Sequence, residues 1–146
     1  MTETPSTSIP VQVDDITVAW LNEVLGDEFG EIIAIDTAHF GEGIGILGEL
    51  ARISLTYAPG ATGPPTLIAK CASPSPQNQF LSIAMGFYLR EVSFYREIAG
   101  GLDVRVPRGY HADASETGVP FVLLIEDIRG SHTLDQLVGI TTDGAR

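Results

Sequence analysis

Three glycines are the first residues that point to chemistry. Gly43, Gly45 and Gly48 follow the pattern G-x-G-x-x-G, which occurs in dinucleotide-binding folds and in the phosphate loops of kinases. Glycine has no side chain, so its backbone can approach a phosphate closely. The pattern also occurs in ordinary glycine-rich hairpin turns, and its meaning therefore depends on the residues around it.

The residues after the glycines argue against a dinucleotide site. Such a site requires a helix at the third glycine and an acidic residue about 20 positions further on for the ribose. Instead, the stretch from Glu49 to Tyr57 alternates apolar and polar residues, which predicts a strand. No Asp or Glu lies between Glu49 and Glu91. A glycine segment between two antiparallel strands is the arrangement that kinases place over a triphosphate.

A lysine and a glutamate are candidates for phosphate binding. Lys70 ends an apolar run that begins at Thr66, and Glu91 lies on the helix predicted to follow. Kinases use a lysine of the third strand for the α- and β-phosphates, held by a glutamate of the next helix. Glu91 falls on the inward stripe of the helix with Tyr95, whereas Glu97 falls off it. We therefore predict a Lys70–Glu91 ion pair; the plainer alternative is a solvated strand end and an exposed helix acid.

A candidate hinge follows the last apolar strand. The run from Phe121 to Ile125 is apolar on both faces, which predicts a central strand, and Glu126 and Asp127 follow it directly. An adenine could hydrogen-bond to the backbone of Glu126 and Ile128, with Ile125 at the back of the pocket. The alternative is a core strand followed by an ordinary turn.

The elements that position these residues predict an α+β fold. We expect a mobile arm at 1–12, a lobe at 13–130 with a short leading helix at 14–26, and a connecting segment at 131–146. Periodicity predicts a five-stranded antiparallel sheet and one long helix, from Phe80 to about Ile98, after the third strand.

The amino-acid composition limits the kinds of partner and the cellular compartment that we expect for this protein. The net charge of −11 would repel nucleic acid and anionic lipid, so neither nucleic acid nor a membrane is an expected partner. No signal peptide or membrane span is predicted, and the single cysteine, Cys71, fits core packing in a reducing compartment, so we expect a cytoplasmic protein.

Taken in order, these segments resemble the N-terminal lobe of a known enzyme superfamily. They are similar to the aminoglycoside phosphotransferase and choline kinase-like superfamily, especially to its branch of ecdysteroid-kinase-like small-molecule kinases. The fold that this resemblance implies is a protein-kinase-like N-terminal lobe. The segments that carry the resemblance are Trp20-Leu21, Gly41-Glu-Gly-Ile-Gly45, Glu49-Leu-Ala-Arg-Ile53, Ala69-Lys70, Arg90-Glu-Val-Ser-Phe-Tyr95, Val106-Pro107, Leu123-Leu-Ile-Glu-Asp127 and, after the hinge, Asp135-Gln-Leu-Val-Gly139.

The resemblance implies an ATP-dependent phosphotransferase. Members move the γ-phosphoryl group of ATP, or in some cases GTP, to a hydroxyl of a small molecule with the help of Mg²⁺. The implied nucleotide-binding residues include Gly41, Gly43 and Gly45, together with Lys70 and Glu91. The implied hinge residues are Ile125, Glu126 and Ile128.

The family's catalytic motifs do not occur among the 146 residues. A His-Gly-Asp-like loop, a later asparagine and a metal-binding aspartate are all missing. We therefore expect a lobe that is inactive alone, with Mg²⁺ and the hydroxyl acceptor bound only with a C-terminal lobe. The alternative is a stand-alone, non-catalytic module that binds nucleotide or protein, and an uncovered apolar face would favour self-association.

Overall fold

The computed structural model of the protein describes residues 8–40 and 47–129. Five strands form one antiparallel sheet with the order β1-β2-β3-β5-β4. The strands are β1 (Ile32–His39), β2 (Gly48–Tyr57), β3 (Thr66–Ala72), β4 (Gly109–Ala114) and β5 (Phe121–Glu126). The predicted α+β class with a five-stranded antiparallel sheet is confirmed.

In the described part of the chain, three α-helices accompany the sheet: α1 (Val18–Phe29), α2 (Pro76–Met85) and α3 (Phe87–Ser93). A 3-10 turn at Val13–Asp15 precedes α1, and α3 continues into a π-helical turn at Phe94–Ile98. Within the described ranges, none of the helices has the length and apolar character needed to cross a membrane.

The prediction of a single long helix after the third strand is wrong. Gly86 has a φ of 67°, and this left-handed residue ends α2 and begins α3. Glycine adopts that conformation at little cost because it has no Cβ. The helical spacing that led to the prediction was found in residues from Phe87 onward. Those residues follow Gly86, so their spacing contained no information about a break at Gly86.

The leading helix is also shifted from its predicted bounds of 14–26. Asp14 and Asp15 lie in the 3-10 turn, and Thr17 caps α1 by accepting a hydrogen bond from the backbone N–H of Trp20 at 3.2 Å. Gly26 lies inside the helix, which ends instead at Gly30 with a φ of 88°. A single interior glycine costs a helix only about 1 kcal/mol, so it does not have to end one.

One face of the sheet packs against α1 and the 3-10 turn. The apolar residues of the alternation predicted along β2 face this core, and Ala51 and Ile53 are fully buried there. Cys71 joins them from β3, and burial raises the pKa of its thiol to about 12. Ser8 and Ile9 belong to the stretch predicted as an arm; the Ser8 carbonyl accepts from the Trp20 indole at 3.0 Å, and Ile9 packs on this core.

The other face of the sheet packs against α3. Tyr88 and Val92 of the helix are buried against Phe121 and Leu123 of β5. The neighbouring residues of β5 point into the first core, so this strand is buried on both faces. The prediction of a central strand at β5 is confirmed, since it lies between β3 and β4.

His111 provides a test of the packing between α1 and β4. Its ring meets the Trp20 ring edge-on, with 5.4 Å between centroids, and burial lowers the pKa of His111 below its ordinary value. Folding therefore favours the neutral ring, so its contribution to stability is present above the unfolded pKa of about 6.5 and is lost as the pH falls.

We expect the melting temperature of the protein to fall more steeply between about pH 7.5 and 5.5 than that of His111→Gln. Fluorescence of Trp20, the only tryptophan, would follow both transitions. Parallel pH profiles for the two proteins would contradict a buried neutral imidazole.

Candidate functional site

Lys70 and Glu91 form the predicted ion pair. The Lys70 Nζ lies 3.0 Å from Oε1 and 2.8 Å from Oε2 of Glu91. The two side chains are 22% and 29% exposed, so the pair lies at the surface of the lobe without being fully solvated. Contact with both carboxylate oxygens holds the ammonium group in one place, with a further N–H donor left over.

The strand and the helix bring this pair together for simple geometric reasons. Lys70 alternates with the buried Ala69 and Cys71, so its side chain leaves the α1 core and lies on the α3 face. Helix α3 packs on the same face and carries Glu91. The sequence predicted that Lys70 ends its strand. In the structure β3 continues to Ala72, so Lys70 lies inside the strand.

Gly48 gives the Lys70 side chain its path, a role that the sequence did not predict. A Cβ atom at position 48 would lie 2.7 Å from Cε of Lys70 and 3.0 Å from the carbonyl oxygen of Cys71. The first distance is too short and the second is tight, so the Lys70 side chain would have to move to admit a side chain at position 48. Gly48 was visible as the third glycine of G-x-G-x-x-G, but only the strand pairing Gly48↔Ala72 shows its neighbour.

Gly48→Ala should displace Lys70 from Glu91. We expect a changed side-chain NMR signal for Lys70 and a loss of about 1–3 kcal/mol in the free energy of unfolding, because the added methyl group overpacks the site. Lys70 is the only lysine in the chain, so its signal needs no assignment. Gly100→Ala is the control, since a Cβ there meets nothing within 4 Å; an unchanged Lys70 signal in Gly48→Ala would contradict the prediction.

Two isoleucines lie beside Lys70 on the same face of the sheet. Ile68 precedes Lys70 by two residues and therefore lies on the same face of β3. Ile125 of β5 is the cross-strand partner of Ile68 and lies on that face too. Both side chains are half-buried. Ile125 was predicted as a pocket residue, whereas Ile68 was missed, although its spacing of two from Lys70 would have identified it.

The predicted hinge residue Glu126 is bound within the fold. Its carboxylate accepts two hydrogen bonds from Arg105, at 2.7 and 3.1 Å, and one from the backbone N–H of Arg108 at 3.0 Å. These contacts, led by Arg105, lower the pKa of Glu126. The Glu126 N–H donates to the Arg108 carbonyl at 2.8 Å, so it is already engaged. Ile128, the second predicted hinge residue, lies half-buried just beyond β5.

Asp127 is the centre of a polar cluster that the sequence did not predict. Its carboxylate accepts from Arg52 at 2.7 and 3.0 Å and from the Thr66 hydroxyl at 2.7 Å, and it lies 3.2 Å from Arg129. The Asp127 side chain is only 4% exposed. The Arg52 guanidinium also stacks over the Phe40 ring at 5.5 Å. The cluster thus ties β2 and β3 to the segment after β5.

The three predicted nucleotide-binding glycines, Gly41, Gly43 and Gly45, lie outside the described residues. The strands on either side of them are described and are antiparallel neighbours. The Phe40 N–H donates to the Leu50 carbonyl at 3.1 Å, which continues this pairing up to the glycine segment.

A cavity of about 400 Å³ borders the predicted hinge, because Arg105 and Arg108 line it and both contact Glu126. It opens between the π-helical turn and the segment before β4, and neither Lys70 nor either isoleucine lines it. The Lys70–Glu91 pair instead lies between β3 and α3, where both side chains are partly exposed. In the described part of the chain, no three His, Cys, Asp or Glu residues are grouped to hold a metal ion.

The composition contained one further signal for this site. Lys70 is the only lysine among the 146 residues of a chain with a net charge of −11. Lysine is rarely buried unless it is paired, and this lone lysine lies in mid-strand, 22% exposed and paired with Glu91. Comparisons of the chain with protein-family models, with curated proteins and with solved structures find no match.

Proposed function

We propose that this chain is the nucleotide-binding lobe of an ATP-dependent phosphotransferase with a protein-kinase-like N-terminal fold. The observation that carries the proposal is the bidentate Lys70–Glu91 pair beside the Ile68–Ile125 strip. It supplies a fixed cation for phosphate and an apolar surface for a base on one face of the sheet.

The spacing of these residues suits a nucleotide that lies along the strand. Residues on the same face of a strand are about 7 Å apart, so the cation and the strip are neighbours without overlapping. A purine packed on Ile68 and Ile125 would direct its phosphates toward Lys70, with the ribose between. The N–H of Glu126 would not bind the base, because it already donates to the Arg108 carbonyl.

The charge distribution supports the same ligand. An anionic nucleotide is repelled by most of a surface with a net charge of −11 and is attracted where a cation is fixed. Glu91 orients the ammonium group and the neighbouring glycine, Gly48, gives it room. These are the two conditions under which a lysine binds phosphate in a defined position rather than as a mobile counter-charge.

Transfer itself needs groups that we place outside these 146 residues. A positioned base and Mg²⁺ are required at the transferring phosphoryl group. By the resemblance, they lie with the hydroxyl acceptor in a C-terminal lobe that closes over the partly exposed Lys70–Glu91 pair. The lobe alone is then a weak nucleotide binder without transferase activity.

An NMR titration of the chain with ATP, and separately with GTP, tests the proposal. We expect a dissociation constant of roughly 1 mM, because only one wall of the cleft is present. Signals of Ile68, Lys70 and Ile125 should move together and saturate, and inorganic phosphate should move Lys70 alone. No saturable change at these residues, or a change confined to the cavity between the π-helical turn and the segment before β4, would overturn the proposal.

A further inference from the structure

The hydroxyl group of Tyr88 makes two hydrogen bonds to backbone groups on either side of the site. It donates to the Leu47 carbonyl at 2.7 Å and accepts from the Ser73 N–H at 3.0 Å. The Tyr88 side chain is buried, and its ring stacks on Phe121 with 4.7 Å between centroids. Donor and acceptor capacity of the hydroxyl are thus both used by main chain.

The two backbone partners belong to the segments that carry the site. Leu47 immediately precedes Gly48, against which the Lys70 side chain lies, and Ser73 follows the end of β3. Tyr88 itself is three residues before Glu91 on α3. A single hydroxyl therefore connects the start of β2, the end of β3 and the helix that supplies the carboxylate.

We propose that Tyr88 is a positioning residue of the nucleotide site. Through these two hydrogen bonds it sets the height of α3 above the sheet, and with it the place at which Glu91 holds Lys70. The consequence for nucleotide affinity rests on the proposed function, whereas the consequence for Lys70 does not. The ring by itself would fill the core equally well, so the hydroxyl contributes the connection rather than the packing.

Tyr88→Phe tests this role, because it keeps the ring and removes both hydrogen bonds. Tyr57→Phe is the matched control: the Tyr57 hydroxyl donates to the Pro64 carbonyl at 2.9 Å, in the connection between β2 and β3 at the far end of the strands. The measurements are melting temperature, the side-chain NMR signal of Lys70 and the dissociation constant for ATP.

We expect both substitutions to lower the melting temperature by a few degrees, since Tyr88→Phe removes two hydrogen bonds and Tyr57→Phe removes one, each at least partly buried. Only Tyr88→Phe should shift the Lys70 signal, and only it should weaken ATP binding, by roughly 3- to 10-fold. Replacing Tyr88 with 4-aminophenylalanine restores a donor for the Leu47 carbonyl and should return the Lys70 signal toward that of the unmodified protein. A purely structural tyrosine would not show this selective effect or its rescue.

The outcomes separate the two proposals. An unchanged Lys70 signal in Tyr88→Phe overturns the positioning role, even if the chain binds ATP. If the unmodified chain binds no nucleotide, the proposed function fails, and the Lys70 signal alone decides whether Tyr88 positions the pair. A shift of equal size in Tyr57→Phe would also overturn the inference, because the effect would then be global.

Discussion

Lys70→Met should weaken ATP binding by roughly 10- to 100-fold, the range expected when one or two hydrogen bonds to a charged phosphate are removed. Methionine has a similar length and no charge, so the path over Gly48 stays filled. Glu91→Gln keeps the lysine but removes its ionic anchor, and we expect a smaller loss of about 3- to 10-fold. Calorimetry or NMR titration would measure each dissociation constant.

The double variant Lys70→Met/Glu91→Gln gives the sharpest form of this test. If Glu91 acts only by holding Lys70, its substitution should cost almost nothing once the lysine is gone. Because both side chains of the pair are partly exposed, each variant should change the free energy of unfolding by less than about 1 kcal/mol. Affinity and stability are then separable, and ATP binding that survives Lys70→Met would refute the proposed site.

Asp127→Ala should destabilise the fold by about 2–3 kcal/mol, the largest stability effect that we expect from one charged residue of this lobe. The substitution removes the acceptor of hydrogen bonds from Arg52 and Thr66 and leaves Arg52 without its partner. The figure is below that of a fully buried pair because the Arg52 side chain is 37% exposed and can be solvated. Urea unfolding followed by Trp20 fluorescence would measure it.

Asp113→Ala is the control for this substitution. Asp113 pairs with Arg96 at 3.1 Å, but the two side chains are 34% and 53% exposed. An ion pair in that environment contributes at most about 1 kcal/mol. Equal losses in Asp127→Ala and Asp113→Ala would show that the Asp127 cluster does not hold the strands together.

We also expect the stability that the Asp127 carboxylate contributes to depend on pH. The hydrogen bond from Arg52 is the main cause of a pKa below the ordinary value. The stability it provides is therefore present above the unfolded pKa of about 3.9 and is lost as the pH falls through the lower folded pKa. The unmodified protein should lose more stability on acidification below about pH 4 than Asp127→Ala, and parallel acid titrations would contradict this.

Local patterns in the sequence determined the strands, the α+β class and the Lys70–Glu91 pair. Alternation along β2 predicted its buried residues, because side chains of a strand point to opposite faces in turn. Glu91 was distinguishable from Glu97 because α3 turns one stripe toward the sheet. A pair of opposite charges directed inward from adjacent elements was expected to meet, since each would otherwise be costly.

Tertiary structure alone decided the features that depend on strand register and chain breaks. The Gly48–Lys70 contact requires Gly48 to lie opposite Ala72, and the Asp127 cluster joins residues up to 75 positions apart. Gly86 could equally have remained helical, and Gly26 did so. Periodicity reports which face a residue occupies, but not which residue of another strand lies beside it, because that depends on the packing of the whole sheet.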